Sequence, residues 1–148
     1  MSIGKRFNFR PSLSDKGIYH FMIWGQEMAD RENIQAVIQT YFDCMNESSG
    51  EKVTQAFHPD AKITGYLPTG LQEMSVADFS GFVAAQTPPP QETDTPVIGE
   101  IISLEIAGNT AVAKVRDRYL GMSFLDTLSF LKVGDGWSIY NKLFHVES

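Results

Sequence analysis

The stretch that decides the fold runs from Leu120 to Val146 and reads LGMSFLDTLSFLKVGDGWSIYNKLFHV. It divides into two strands joined by Gly134-Asp135-Gly136, where Asp-Gly supplies the positive φ angles that a tight antiparallel turn demands. Side chains along a strand alternate with period two. Phe124, Asp126, Leu128 and Phe130 therefore share one face of the first strand, and Trp137, Ile139, Asn141, Leu143 and His145 share one face of the second. Each face is apolar with a few polar groups set into it. A greasy concave surface that holds an acid, an amide and an imidazole suits the wall of a ligand pocket, and the upstream chain is expected to curve over it.

Working outward, Val97 to Ala107 and Thr110 to Leu120 read as two more strands, joined through Gly108-Asn109 and Gly121-Met122 to complete a four-stranded meander with Ser123 to Val133 and Trp137 to Val146. Before the meander lies the helical part. Asp30 stands where an N-cap belongs, and Ile34, Val37, Ile38, Tyr41, Phe42 and Met45 follow at the spacing of an amphipathic helix that Ser48-Ser49-Gly50 ends. A short helix from Glu51 to Phe57, a strand from Ala61 to Tyr66 and a third helix capped by Ser75 come next, the last with Val76, Phe79, Phe82 and Val83 inside. Thr87-Pro88-Pro89-Pro90 reads as a stiff extended loop. Residues 1–27 carry aromatic clusters and breakers without a sustained period, so they are expected to form an extension or arm, with the domain spanning 28–148 and Met28 a plausible start. This order predicts an α+β domain in which three N-terminal helices pack on a strongly curved antiparallel sheet.

A chain of 148 residues with 43% hydrophobic and 20% charged residues suits one globular domain. The net charge of -6 argues against a nucleic-acid partner, because phosphate binding needs a basic patch that Lys5, Arg6 and Arg10 do not amount to. No apolar run approaches the roughly 20 residues that span a bilayer, so no membrane partner is expected. The single cysteine, Cys44, excludes an internal disulfide framework, and the cytoplasm is the expected location. No phosphate-binding glycine loop, G-x-S-x-G or metal-ligand spacing is present, so no cofactor or metal is expected.

The element order, together with AFHPDAKI, AGNTAVAKVR, LSFLKVGDGWSI and NKLFH, resembles the nuclear-transport-factor-2-like (NTF2-like) superfamily and, within it, the bacterial putative lumazine-binding family, a neighbour of the SnoaL-like cyclases and ketosteroid isomerases. The resemblance covers Asp30 to the end and implies a cone-shaped cavity between helices and curved sheet. Function varies across that superfamily and has to be argued from the site. In ketosteroid isomerase a helix tyrosine and a neutral aspartic acid hold an oxyanion while a second aspartate shuttles the proton. The resemblance puts Tyr41 at the tyrosine, whereas the base falls at or near Gly65 and the oxyanion acid at or near Leu128. Isomerase chemistry of that form is not expected.

If Gly121-Met122 is a two-residue turn, Tyr119 faces Phe124 and Asp117 faces Asp126. Two facing carboxylates repel, so a partly buried pair would hold one raised pKa and serve as an acid or base near neutrality. At an exposed hairpin rim the same pair would simply be solvated. His145 is either a pocket proton carrier or a structural residue near the chain end, and Lys142 has the opposite strand parity, which turns it away from the cavity. His58 and Asp60 are expected to pin a turn.

Two functional readings follow. One is a small-molecule-binding domain whose cavity uses Tyr41, Met45, Tyr66, Phe79 and Phe82 from the chain before the meander, and Tyr119, Phe124, Leu128, Asn141 and Leu143 from the meander. The other is a cofactor-free lyase, isomerase or cyclase with Asp117, Asp126 or His145 as the acid or base and Tyr41 as oxyanion donor. The outer sheet face, with Leu125, Thr127, Ser129 and Leu131, alternates apolar and hydroxyl residues and predicts a homodimer.

Overall fold

The computed structural model describes residues 13–147. Helix α1 (Leu13–Glu47) and helix α2 (Gly50–Ala56) lead into strands β1 (Phe57–Leu67) and β2 (Gly70–Ser75). Helix α3 (Val76–Ala84) and a single 3-10 turn at Pro90–Glu92 precede β3 (Ile98–Ala107), β4 (Thr110–Tyr119), β5 (Met122–Val133) and β6 (Gly136–Val146). One sheet contains all six strands in the order β2-β1-β6-β5-β4-β3. The meander β3 to β6 is antiparallel throughout. Two features depart from the expectation of three N-terminal helices on an antiparallel sheet: α3 lies between β2 and β3, and β1 pairs with β6 in parallel.

The helices are placed by local chemistry. Ser49 caps α2 by accepting from the Lys52 amide at 3.1 Å. Ser75 and Asp78 form a reciprocal capping box at the start of α3. The apolar stripe of α1, including Ile34, Ile38, Tyr41 and Met45, is buried against the concave side of the sheet with Val115, Leu128, Phe130 and Ile139.

Asp30 is not an N-cap. Helix α1 runs on toward its N-terminus as far as Leu13, and residues 16–29 are exposed all round, so that part carries no apolar stripe for a periodicity argument to detect. Residues 1–12, which the expected arm includes, lie outside the described residues. The Asp30 carboxylate instead accepts from Lys132 Nζ at 2.9 Å and Trp137 Nε1 at 3.0 Å, tying α1 to the β5–β6 hairpin. Burial raises its pKa, and the hydrogen bonds from Lys132, Trp137 and Gln26 outweigh that and leave it below the ordinary value.

Turn geometry sets the register. At Leu120-Gly121 both residues have positive φ, 52° and 78°, so the two-residue turn lies one position earlier than Gly121-Met122. Tyr119 therefore pairs with Met122, Asp117 with Phe124 and Val115 with Asp126. At the last hairpin the positive φ falls on Gly134, at 62°. No helix among the described residues is long and apolar enough to cross a membrane.

Candidate functional site

A cavity of about 260 Å³ opens between α3, the β1–β2 hairpin and the concave face of β4 to β6. Its wall is mainly apolar, with Met45, Phe79, Phe82, Phe124 and Phe144 among the lining residues, and two charged side chains, Asp117 and Lys142, reach it. Sequence reasoning excluded Lys142 because strict alternation from Trp137 carries Asn141, Leu143 and His145 inward. The strand does not alternate strictly. Ile139 pairs with Phe130 and Asn141 with the adjacent Ser129, so Tyr140 is an extra residue and the facing is reversed after it. Lys142 and Phe144 are buried, whereas Asn141, Leu143 and His145 are exposed on the other face. The signal was present in Phe144: keeping it inward with Trp137 and Ile139 requires one inserted residue, and that insertion brings Lys142 in as well.

The other expected positions divide similarly. Tyr119 lines the cavity, and its hydroxyl is buried without a hydrogen-bond partner. Tyr66 points outward and is 67% exposed. Leu128 is fully buried in the core, and Tyr41 is fully buried and does not line the cavity. Gly65, which the resemblance puts at or near the isomerase base, is packed against Phe144, so a side chain there would collide with that ring.

Asp117 and Asp126 are not directly opposite, yet they share the concave face as diagonal neighbours and both are buried. The Tyr41 hydroxyl donates to Asp126 Oδ2 at 2.7 Å. Lys142 Nζ stands 4.0 Å from the same oxygen and over the rings of Phe79, Tyr41 and Phe144, at 4.7, 4.8 and 5.7 Å from their centroids. Asp117 Oδ2 and Asp126 Oδ1 are left without a donor. A proton held by the pair is the donor that this arrangement lacks. Burial, then the charge of Asp126 beside it, push Asp117 up to about 8. Burial, followed by the charges of Asp117 and Asp126, holds the Tyr41 phenol far above its ordinary value, so it remains a donor. Asp117 and Lys142 thus face the apolar chamber, with Asp126 and the Tyr41 phenol buried behind them.

The remaining sequence candidates lie elsewhere. His58 Nδ1 accepts from the Asp60 amide at 3.1 Å and shapes the β1 entry. Cys44 is buried in α1, which pushes its thiol up to about 12, and it serves as a packing residue. Among the described residues no group of three or more His, Cys, Asp or Glu side chains could hold a metal ion.

Comparison with known proteins agrees with this architecture. The chain is similar to an NTF2-like protein of unknown function from Silicibacter pomeroyi, with 21% identity, a TM-score of 0.73, and coverage of 82% of this chain and 98% of that one. An NTF2-like protein of unknown function from Methylobacillus flagellatus gives 28% identity and a TM-score of 0.72 over 81% of this chain and 94% of its own. In sequence, the chain is 26% identical over 115 residues to Aldolase FrzH from a Cladobotryum species, covering 74% of this chain and 88% of the relative. The profile of the family described as putative lumazine-binding matches residues 29–145, and the chain belongs to that family.

Proposed function

We propose that this protein binds a small, largely apolar carbonyl compound in the cavity and moves a proton at the carbon beside the carbonyl. The observation that carries the proposal is the buried Asp117–Asp126 pair, one of whose carboxyls reaches an apolar chamber beside Lys142. The chamber, at about 260 Å³, is smaller than the ~300–1,000 Å³ usual for drug-sized ligands, which favours a compact substrate. A general base works best with a pKa near the operating pH, and burial beside Asp126 brings Asp117 into that range.

In this reading Asp117, once ionised, takes the α-proton. The Lys142 ammonium faces the carbonyl oxygen and stabilises the negative charge that develops there. Asp126 and Tyr41 are positioning residues: Tyr41 fixes Asp126 through its hydrogen bond, and Asp126 holds the Lys142 charge and keeps the first proton on Asp117. His145, exposed on the convex side, has no part in this chemistry. Similarity to a protein named an aldolase supports a reaction that begins with carbonyl activation. Family membership supports the coarser reading of a small-molecule-binding domain.

The test is deuterium exchange at the α-carbon of phenylacetone, followed by proton NMR in deuterated buffer. The protein should accelerate exchange, and Asp117→Asn should remove the acceleration while phenylacetone still binds. Binding with no accelerated exchange by the unsubstituted protein would leave the binding-only reading.

A further inference from the structure

Lys142 presents a buried side-chain amine to the apolar chamber, with its nearest carboxylate oxygen beyond hydrogen-bond distance. It is 6% exposed, lines the cavity, and its nitrogen sits among three aromatic rings. An ammonium has three N–H donors to satisfy. The site offers it the Asp126 carboxylate at 4.0 Å, longer than a hydrogen bond, and ring faces, which accept charge and give weak acceptors for N–H groups.

We infer that Lys142 forms a covalent iminium with aldehydes and unhindered ketones that enter the cavity. The inference rests on the carbonyl-binding reading and deepens it by making the lysine the carbonyl acceptor. An iminium keeps the positive charge that Asp126 and the rings stabilise, and carries one N–H instead of three. Its carbon substituents occupy the apolar chamber. The steps balance within the cluster. The ammonium gives one proton to the ionised carboxylate of the Asp117–Asp126 pair, and the free amine adds to the carbonyl carbon. The carbonyl electron pair goes to oxygen, which takes up the second amine proton to give a neutral carbinolamine. The carboxylic acid then protonates that hydroxyl, the carbon–oxygen bond breaks, water leaves through the mouth, and the nitrogen lone pair forms the C=N bond. An α-proton passing next to the carboxylate gives the enamine.

Benzaldehyde tests this step separately from proton transfer, because it has no α-hydrogen. The full chain is incubated with benzaldehyde and sodium cyanoborohydride, which reduces an iminium to a stable benzylamine, and the modified lysine is located by peptide mass spectrometry. The expected result is one benzyl group on Lys142, acquired about tenfold or more faster than on the exposed Lys62 and Lys114. Lys142→Met should lose that label, and the mapping on the unsubstituted chain decides the matter should the variant fail to fold. Labelling of Lys62 and Lys114 with Lys142 unmodified would overturn the inference. Phenylacetone exchange without a Lys142 adduct leaves proton transfer standing and removes the covalent step. A Lys142 adduct without exchange does the reverse.

Discussion

Replacing Asp117 by Asn should change how stability depends on pH. In the folded protein Asp117 is raised to about 8 by burial and by Asp126, whereas in the unfolded chain it returns to about 3.9. Between those values the folded state keeps a proton that the unfolded state has lost. Unfolding therefore releases a proton, and stability falls as pH rises through this window. Each pH unit is worth about 1.36 kcal/mol, so the step from pH 5 to pH 7 costs about 2.7 kcal/mol at this site. In a domain of this size that corresponds to roughly 5–10 °C in Tm. Asn keeps the shape, carries no titrating proton, and offers an amide donor to Asp126 in place of the shared proton. Urea denaturation of both proteins at pH 5, 6 and 7 should show the variant gaining on the unsubstituted chain by about that amount over the interval. Parallel stability curves would mean that both carboxyls are ionised and solvated in the folded protein, and the reasoning about the site would fail with them.

Asp126→Ala leaves the Lys142 charge and the Tyr41 hydroxyl without their partner, so chemical denaturation should show a loss of about 3–5 kcal/mol. Tyr41→Phe removes only the 2.7 Å hydrogen bond to Asp126, and its loss should be about 1.5–3 kcal/mol by the same assay. A chain beginning at Met28 should melt at the same temperature as the full chain in calorimetry, because residues 16–29 of α1 are exposed; early melting would make the preceding turns part of the core. Light scattering at micromolar concentration should report a dimer formed through the convex sheet face, where Val112 and Leu143 lie exposed beside Leu125 and Thr127; a monomer would reject that interface.

Much of this fold is legible in the sequence because its elements carry short-range signals. The stripe from Ile34 to Met45, the Ser75 cap and the glycines at the hairpins each act within a few residues. Tyr41, Asp117 and Asp126 follow from those signals, since the turn lies one residue earlier than expected, which shifts the pairing by two residues and leaves both acids on one face. Strand β2 leaves little trace in the sequence because it is a short edge strand whose inward residues, Gln72 and Met74, give little apolar pattern. The facing of Lys142, Asn141 and His145 is hidden from strict alternation for a different reason. A bulge changes facing with a single extra residue, and the choice to insert it at Tyr140 comes from packing Phe144 against β1 and Phe124, contacts distant along the chain.

The pH–rate profile of phenylacetone α-exchange tests the acid–base account most directly. Asp117 must be ionised to accept the proton, so the rate should rise with pH in proportion to its ionised fraction and level off above about 8, with Asp117→Asn showing no such rise. A protein-dependent rate that is flat from pH 5 to pH 9, or that Asp117→Asn retains in full, would contradict it.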